Sequence, residues 1–536
     1  MIRPIVFTLC ISFSSFANPP KMSWVQERLQ NAKILIQKAR YLVPEKFSSK
    51  SIERVEIGSE ESENDDLVTY YNVEAAKNML STIAEVENRK IINKIKRGET
   101  LAGSDLTIMH QIVATFLEVQ HDLKKLENSS NEMISLISRL DRFEVLDNTY
   151  TDYYALRKFR RLINDSDSSY DIQAHEISKL IRSILKKDYI YTTIEDFNDF
   201  ALSYNEKRLM SNNDELKDKI KNHPAVNILK EHRKLVRLAR KYRNKERLDK
   251  FFDLGIEITH LLSKAFGNGT GAVRWREGHL FKRDKLNQEI LDELQPLDII
   301  TEKTYFALTD TFIPGHFGHN AIWLGTEDQL KEIGMWYHPS IVKYHNEIEQ
   351  GLSIIETDRS GTHLKTLEDF MNVDEFAILR VRDNYLTPEK MENVFEVALA
   401  QIGKTYDFNF DVETTDQLVC SELLYQSFGD VKWPTQKWPG RMAISPDDVT
   451  SLALYENSPV ELVYYVAQRK KGDYKYKTKD DLAKDLGYKR INDGYYSSTE
   501  DCKYKRVGRK RKVRGSVVNR YRKEKVCETS FSKLAY

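Results

Sequence analysis

TTDQLVCSELLYQSF, residues 414–428, places a cysteine at the start of a segment with helical periodicity. Four apolar residues recur at the spacing of one helix face and predict a helix that begins near Cys420; they are Leu423, Leu424, Tyr425 and Phe428. A thiol at a helix N-terminus meets the positive end of the helix dipole, which lowers its pKa. A lone cysteine is also an ordinary small apolar core residue. These residues alone therefore leave two interpretations of Cys420, a buried core thiol and a nucleophile.

The length and composition of the chain set broad limits. It has 536 residues and a net charge of +1, with 40% hydrophobic and 30% charged residues. This length predicts two or three domains, and the near-neutral net charge gives no indication of a polyanionic partner. After the first residues, no apolar run is long enough to span a membrane.

Residues 1–17 have the composition of a signal peptide. Arg3 supplies a positive charge, residues 5–16 are mainly apolar, and Ser15-Phe16-Ala17 forms a small-x-small cleavage site. The sequence therefore predicts a mature chain that begins at Asn18 and is exported, in a periplasmic or cell-envelope location. Because thiols tend to pair outside the cytosol, the cysteine count becomes informative.

The chain contains four cysteines, and Cys10 belongs to the predicted signal peptide. Cys502 and Cys527 flank one basic segment near the C-terminus, and we expect them to form a disulfide. Cys420 then remains as a free thiol in an oxidising compartment, which favours a chemical role for it without proving one.

The organisation along the chain changes near residue 267. Residues 18–266 show mostly helical periodicity; within them the acidic stretch SEESENDD at 59–66 indicates a solvated linker, and ENSSNE at 127–132 indicates the turn of a helical hairpin. Residues 267–293 are expected to form a connecting loop, and residues 469–536 a basic tail.

Residues 294–468 contain short β-branched and aromatic runs bounded by Gly, Asp or Asn, namely LDIITE, NAIWLG, SIIETD and EFAILRVR. Helical patterns cover about 388–401 and the segment after Cys420. The sequence therefore predicts an α+β module in which these runs are strands of one sheet.

Cysteine chemistry on a carbonyl needs a histidine beside the thiol and a polar group that orients the imidazole. His319 opens the run HNAIWLG, and Glu356 lies in SIIETD, the next strand pattern. If these strands are neighbours, the two side chains can meet. The ordinary alternatives are a surface or packing role for His319 and a salt-bridge role for Glu356.

LQPLDIITEKTYFALTDTFIPGHFGHNAIWLG, followed by SIIETD, EFAILRVR and YDFNFDVETTDQLVCSELLY, resembles the permuted papain-like hydrolases of the YaeF and YiiX type, which are related to the NlpC cell-wall hydrolases. In that group the histidine strand comes first, a polar residue follows on the next strand, and the cysteine helix comes last. The resemblance covers roughly residues 294–465. It implies a helical N-terminal region followed by a circularly permuted papain-like, NlpC-like sheet-and-helix module.

The resemblance also implies roles for individual residues. Cys420 would be the nucleophile, His319 the general base and acid, and Glu356 the group that orients the imidazole. His316, in GHFGH, is the rival for the histidine role. An H-x-x-H pair can suggest a metal, but no carboxylate or cysteine stands at ligand spacing, so no metal and no cofactor are expected.

Three further residues are expected at the substrate pocket. The resemblance places Tyr406 and Asp407, in YDFNF, along the pocket, and Glu422 at the helix N-terminus or the pocket rim. Leu297 departs from the glycine that the family has before the first strand, which leaves the conformation of that turn open.

The function expected from the resemblance is an exported cysteine hydrolase that cleaves an amide bond, peptide or acyl-amide, through a thioester. Two alternatives stay open: an acyltransferase or esterase acting on lipid acyl groups, and a non-catalytic envelope scaffold. The expected partner is an acyl or peptide substrate, such as a cell-wall or lipid component.

Residues 502–527 hold twelve Lys or Arg and one acid. In an exported protein they predict contact with anionic envelope polymers or lipid head groups, or a plain solubilising tail, and no nucleic acid.

Overall fold

A computed structural model describes residues 31–32, 34–35, 59–205, 214–249, 276–305, 315–407, 410–438, 441–470, 472–513 and 516–536. The predicted signal peptide, residues 1–17, lies outside these residues. Within the described part of the chain, no helix is both long and apolar enough to cross a membrane.

The N-terminal half is helical, as the sequence predicts. Its helices are α1 (Ser59–Arg97), α2 (Gly103–Leu126), α3 (Glu132–Leu146), α4 (Arg157–Leu162), α5 (Glu176–Ile184), α6 (Lys187–Asn205), α7 (Asp214–Lys221) and α8 (Ala225–Lys230). The hairpin predicted at 127–132 is the turn between α2 and α3. There the Asn131 side chain accepts hydrogen bonds from the N–H groups of Met133 and Ile134 at 3.0 and 3.3 Å. This cap fixes the start of α3.

The acidic stretch 59–66 is not a linker, because α1 begins at Ser59 and runs through it. Acidic residues in the first turns of a helix interact favourably with the positive end of its dipole, so a run of them can open a helix instead of interrupting it. The apolar residues that follow, such as Tyr70, Val73 and Leu80, are fully buried in the helical core.

The C-terminal half is built on a seven-stranded sheet in which every neighbouring pair is antiparallel, in the order β11-β10-β5-β1-β2-β3-β4. The strands are β1 (Ile299–Lys303), β2 (His319–Trp323), β3 (Ile354–Asp358), β4 (Gly361–Lys365), β5 (Glu375–Val381), β10 (Val460–Ala467) and β11 (Lys475–Tyr476). The four predicted runs fall on β1, β2, β3 and β5. The predicted α+β class and the sheet are therefore confirmed.

Smaller strand pairs and short helices complete this half. The remaining strands are β6 (Thr405–Tyr406), β7 (Gln417–Leu418), β8 (Gln436–Trp438), β9 (Arg441–Ala443), β12 (Lys489–Ile491), β13 (Gly494–Val513) and β14 (Ser516–Lys533). The helices are α9 (Asp284–Glu293), α10 (Glu327–Glu332), α11 (Pro339–Val342), α12 (His345–Glu349), α13 (Leu367–Phe370), α14 (Pro388–Ala400), α15 (Cys420–Ser427), α16 (Pro446–Ser451) and α17 (Lys479–Asp485).

Both faces of the sheet are covered. One face packs against α14 and α15 through residues such as Phe395, Leu423 and Leu424. The other face packs against α9 through Leu286 and Ile290. The expectation of a connecting loop over 267–293 is therefore wrong for Asp284–Glu293, whose two apolar residues four apart bury one helical face on the sheet.

The expected basic tail is also more structured than a tail. Residues Lys475–Tyr476 form β11 at the edge of the main sheet, and α17 follows. The strands β13 and β14 then pair along their whole length in one antiparallel ribbon, and Cys502 and Cys527, directly opposite each other, are joined by a disulfide. The chain returns to the core at Leu534, which is 7% exposed.

The turn before β1 contains Leu297, where the resembling family has glycine. Its φ is +68°, in the left-handed region that favours glycine. The Leu297 side chain is buried in the sheet core, and its N–H donates to the Trp323 carbonyl at 2.7 Å. The turn therefore keeps the glycine-like backbone, and burial of the leucine offsets the conformational cost.

The helical half contacts the sheet half closely at the cysteine helix. A Cβ on Gly103, at the start of α2, would lie 2.1 Å from the Tyr425 carbonyl oxygen, and one on Gly429 would lie 2.3 Å from the Ser104 nitrogen. The Tyr425 hydroxyl donates to the Leu101 carbonyl at 2.6 Å. Glycine at both positions thus lets α2 abut the end of α15.

Candidate active site

The cysteine helix α15 begins at Cys420, as the sequence predicts. Val419 before it is extended, with φ −97° and ψ 168°, and its N–H donates to the Glu422 carboxyl group at 2.9 Å. This contact is the half of a capping box that an apolar residue such as Val419 allows, in which the residue of the first turn reaches back to the N–H before the helix. Cys420 is 6% exposed, and of the cysteines that the structure describes it alone is a free thiol.

The sulfur lies at the end of the sheet where β2 and β3 separate. The β2–β3 register runs from Trp323–Ile354 to Ala321–Glu356, so Asn320 lies beyond the last paired residue. The backbone N–H of Asn320 lies close enough to Cys420 to lower the pKa of its thiol. The Ser421 hydroxyl donates to the Asn320 side-chain oxygen at 2.9 Å. Asn320 therefore ties the start of β2 to the start of α15.

His319 connects the thiol with a carboxylate. One ring nitrogen, Nε2, lies 2.9 Å from Glu356 Oε2 on the neighbouring strand, and the ring lies close enough to Cys420 for each group to shift the pKa of the other. Because Glu356 takes Nε2, Nδ1 is the nitrogen left for the sulfur. The structure therefore brings Cys420, His319 and Glu356 together in that order.

The second carboxylate oxygen of Glu356, Oε1, also has partners that hold the side chain in place. Lys365 on β4 donates to Glu356 Oε1 at 2.7 Å, and His363 Nε2 lies 3.3 Å from the same oxygen. Glu356 itself is 1% exposed. A buried carboxylate with one oxygen on a lysine and the other on an imidazole stays ionised and fixes the ring orientation.

The electrostatics favour an ion pair between the thiol and the imidazole. Burial alone would raise the pKa of Cys420, but the charge and hydrogen bond of His319 outweigh it and lower that pKa. Burial would lower the pKa of His319, whereas Cys420 and Glu356 together raise it well above its usual value. Burial would raise the pKa of Glu356, and its contacts with His319 and His363 lower it strongly instead. Cys420 and His319 thus favour thiolate and imidazolium.

His316, the rival histidine, lies in a different cluster. Its Nε2 is 3.0 Å from Glu375 Oε2 on β5 and 3.2 Å from the Tyr465 hydroxyl on β10. Its backbone N–H donates to Asp447. These contacts take His316 toward β5 and β10, whereas His319 faces Cys420.

Carboxylates and His316 come close enough to suggest a metal. His316, Glu375 and Asp485 offer atoms within 4.8 Å of one another. Lys477 donates to both Glu375 and Asp485, and Arg469 Nε donates to Glu375 at 2.9 Å. These side chains already supply the positive charge that a cation would bring, so the donor set does not fit a metal.

The expected pocket residues divide into two kinds. Tyr406 is half-buried on β6, whose parallel pairing with β7 sets it opposite Leu418, two residues before Cys420. Burial and then the negative charge of Cys420 raise the pKa of Tyr406, so its hydroxyl stays protonated. Tyr406 is therefore a hydrogen-bond donor close to the thiol.

Asp407 and Glu422, the other two expected pocket residues, are 1% and 0% exposed, and Glu422 lies at the helix N-terminus, one of the two places expected for it. Asp407 Oδ2 accepts the Asp411 N–H at 3.3 Å and so organises the loop before β7. Burial raises the pKa of Glu422 well above its usual value, and the nearby charge of Asp407 adds to this. Both residues hold the backbone around Cys420.

Residues that the sequence analysis missed lie in the helical half. Arg161 Nη1 donates to Asp411 at 3.2 Å, and Lys158 donates to Glu413 at 2.7 Å. Asp167 accepts from the fully buried Lys404 at 2.8 Å. These pairs fasten the segment 404–416, which carries Tyr406, to α4 and the loop after it. Only the alternation of acids in DVETTD could have suggested such contacts.

The comparisons with known proteins agree with this geometry over one part of the chain. No curated protein and no solved structure shows significant similarity to it. Residues 293–472, which span β1 to β10 and include Cys420, His319 and Glu356, match the family model described as permuted papain-like amidase enzyme, YaeF/YiiX, C92 family. This match confirms, for residues 293–472, the family resemblance seen in the sequence.

Proposed function

We propose that Cys420, His319 and Glu356 form the catalytic site of a thiol hydrolase that cleaves an amide bond. The observation that carries the proposal is the position of His319, which lies beside the only free thiol of the described residues and 2.9 Å from a buried carboxylate. A buried core thiol would need neither partner. The match of residues 293–472 to an amidase family supports the amide as the bond attacked.

In the proposed reaction the Cys420 thiolate attacks the substrate carbonyl carbon, and the C=O electron pair moves onto oxygen. The intermediate then collapses, the C–N bond breaks, and the His319 imidazolium protonates the leaving amine nitrogen. An acyl thioester on Cys420 remains. Neutral His319 next takes a proton from water as the water attacks the thioester, which releases the carboxylic acid and restores the thiolate–imidazolium pair.

Two groups are suited to stabilise the oxyanion. A helix leaves its first N–H groups without a partner inside the helix; in α15 the N–H groups of Glu422 and Leu423 donate to the Val419 carbonyl at 3.0 and 3.1 Å, so those of Cys420 and Ser421 are the ones suited to an oxyanion. Tyr406 keeps its phenolic proton and lies near the sulfur. Donors aimed at the developing charge lower the barrier most when water is excluded, and the low exposure of Cys420 meets that condition.

Glu356 acts through His319. Its carboxylate holds Nε2 and leaves Nδ1 directed at the sulfur, so the imidazole does not need to reorient between the two proton transfers. Lys365 and His363 fix the carboxylate in turn. The hydrogen bonds of His316 satisfy Glu375 and Tyr465, so His316 has no role in this scheme.

The test is covalent labelling of the full-length protein with a peptidyl chloromethyl ketone, read by peptide mass spectrometry. Labelling of Cys420 that is lost in His319→Ala and retained in His316→Ala supports the proposal. Labelling only after denaturant is added contradicts it, because Cys420 is then a core thiol. A panel of acyl-amide and acyl-ester substrates next separates the amidase from a lipid esterase or acyltransferase, since only the latter two need an ester or a second acyl acceptor.

Export is part of the proposal. The order of charge, apolar run and small residues in residues 1–17 supports a cleaved signal peptide, and the disulfide between Cys502 and Cys527 suits an oxidising compartment. N-terminal sequencing of the mature protein is expected to begin at Asn18. An intact Met1 in the protein recovered from the envelope fraction would contradict cleavage.

A further inference from the structure

The longest strands of the molecule form a ribbon that is mostly unsupported by the body. The ribbon consists of β13 and β14, and its pairing runs from Tyr496–Lys533 to Val513–Ser516. Of the strands that the structure describes, only β12, three residues long, pairs with its base. At about 3.4 Å per residue, a strand of this length extends ~60 Å. A lone two-stranded ribbon is marginally stable in water, and the Cys502–Cys527 disulfide braces this one.

Successive side chains of a strand point to opposite sides, so the ribbon has two different faces. Directly opposed residues share a face, so Tyr504, Arg506, Tyr521, Lys523 and Lys525 lie together on the face that carries the disulfide. We call these five residues the tyrosine face. Tyr504 and Tyr521 are each 69% exposed. From Cys502 toward the turn of the ribbon, as far as the side chains are described, this face carries two aromatic rings, three cations and no acid.

The cations of the tyrosine face differ from those of the opposite face in their ion pairing. Lys503 and Arg522, on the opposite face, form ion pairs with Asp501 and Glu524. Among the described residues no carboxylate pairs with Arg506, Lys523 or Lys525. Arg506 and Lys523 are even directly opposed across the ribbon. Like charges in that position destabilise a strand pair unless an external anion lies between them.

The exposed rings narrow the choice of anion. Lys and Arg alone satisfy a hydrophilic polyanion, whereas tyrosine rings interleaved with cations suit the boundary between lipid head groups and acyl chains. The rest of the chain must carry a net negative charge, because the whole protein has a net charge of only +1 and residues 502–527 hold twelve cations and one acid. An anionic surface would therefore repel the body and attract the ribbon.

We propose that the tyrosine face of the ribbon binds a membrane surface rich in anionic lipids, with the ribbon lying along the surface. The cations contact the lipid phosphates, and Tyr504 and Tyr521 enter the head-group region. This surface is separate from the thiol site and does not depend on catalysis. It holds the hydrolase module next to a membrane through electrostatic and interfacial contacts alone.

The test uses full-length protein and sedimentation with two kinds of vesicle, pure phosphatidylcholine and a mixture with roughly one third phosphatidylglycerol. Binding to the anionic vesicles only, weakened by added salt, is expected. Arg506→Glu should lower the partition coefficient roughly tenfold or more, because it reverses one charge on the bound face. The new glutamate faces Lys523, so the variant gains a cross-strand ion pair and keeps its ribbon.

The matched control is Lys234→Glu, which makes the same charge change on a side chain that is 71% exposed in the helical half. It should bind within about twofold of the wild type. Equal losses in Arg506→Glu and Lys234→Glu would overturn the proposal, because binding would then follow total charge. Failure of the wild type to bind anionic vesicles would also overturn it.

A second variant separates lipid from other polyanions. Tyr504→Ser with Tyr521→Ser keeps all cations, so it should lose vesicle binding several-fold and elute from heparin or duplex DNA at the salt concentration of the wild type. Unchanged vesicle binding in this variant would overturn the lipid assignment and leave a hydrophilic polyanion as the ligand of the ribbon.

Discussion

Two histidine–glutamate pairs, His319–Glu356 and His316–Glu375, lie at one end of the central sheet, and their surroundings differ. His319 and Glu375 are both brought to this end by β1, which pairs Glu302 with His319 and Lys303 with Glu375. His319 contacts Glu356 and a thiol, whereas His316 contacts Glu375 and the Tyr465 hydroxyl. The two histidines are only three residues apart in the chain.

The comparison teaches that the third partner separates the proposed catalytic pair from a structural one. Glu375 accepts hydrogen bonds from Tyr305, Tyr465, Arg469 and Lys477 as well as facing His316. Such a saturated cluster fastens β5, β10 and the loop before β2 to one another. In the other pair, Glu356 leaves one nitrogen of His319 for Cys420, so a proton can move between ring and sulfur.

The largest expected effect is that of removing the sulfur. Cys420→Ala should lower turnover of any amide substrate of the protein by roughly a thousandfold or more, because the Cys420 thiolate is the nucleophile that forms the proposed covalent intermediate, and His319 and Glu356 do not replace it. The control is the double variant Cys502→Ala and Cys527→Ala, which removes the disulfide and should keep full turnover. Activity that survives Cys420→Ala and fails in the control would reverse the assignment.

The two histidines should differ next most strongly. His319→Ala should lower kcat/KM by roughly a hundredfold to ten-thousandfold, the range of a lost general acid–base group. His316→Ala should change kcat/KM by less than about fivefold and act on stability instead, by about 1–3 kcal/mol, since it leaves buried partners unsatisfied. Steady-state kinetics and urea unfolding of both variants measure the contrast. A larger kinetic loss in His316→Ala would exchange their roles.

The same contrast should be visible in the pH dependence of alkylation. Because the folded pKa of Cys420 is lowered, reaction with iodoacetamide should persist well below pH ~8.5, the value of an unperturbed thiol. His319→Ala removes the imidazolium and leaves burial, which raises a thiol pKa, so its profile should move to higher pH. His316→Ala should keep the wild-type midpoint. A wild-type midpoint at or above that of a free thiol would rule out the ion pair.

Much of this site could be predicted from the sequence because strand and helix starts have local signals. His319 opens a β-branched run, and Cys420 precedes apolar residues at helical spacing, so both positions follow from periodicity. Their pairing with Glu356 follows from the order of adjacent antiparallel strands. The family resemblance added the roles, which single motifs did not carry.

The rest could not be predicted, because it depends on contacts between distant parts of the chain. Glu375 meets His316 across β1, and Arg161 meets Asp411 from 250 residues away. The acidic stretch 59–66 has the composition of a linker, and its helical state depends on the buried face that follows it. Residues 284–293 show only two core-facing apolar residues, Leu286 and Ile290, too few to stand out within a predicted loop.

Glu356→Gln should have a smaller kinetic effect than loss of either catalytic side chain. The amide keeps the volume and one hydrogen bond but loses the charge that supports the His319 imidazolium, so kcat/KM should fall by roughly ten- to a hundredfold. Glu375→Gln, the same change in the other pair, should lower kcat/KM by less than about threefold. Equal losses in the two variants would mean that both carboxylates act on folding and neither on the reaction.

The smallest expected difference is in how the free energy of unfolding depends on pH, and the prediction concerns Glu375. Burial would raise the pKa of Glu375, but its contacts with His316, Tyr465 and Lys477 lower it far below the usual value. A carboxyl group whose folded pKa is depressed stabilises the fold above its unfolded pKa of about 4.3, and that stabilisation is lost as the pH falls through the folded value. Glu375→Gln should therefore lower the free energy of unfolding by about 2–4 kcal/mol at pH 7.

The deficit should shrink as the pH falls below ~4.3, because the unfolded wild type then takes up a proton at Glu375 that the folded protein does not bind until a much lower pH. Urea unfolding at pH 7, 5 and 3.5 measures it. Glu461→Gln is the matched control, since Glu461 on β10 pairs with Arg382, the residue directly after β5, with both side chains nearly half exposed. Such a pair contributes about 0–1 kcal/mol. A Glu375→Gln deficit as small as that of Glu461→Gln would show that the His316 cluster is not the structural counterpart of the thiol site.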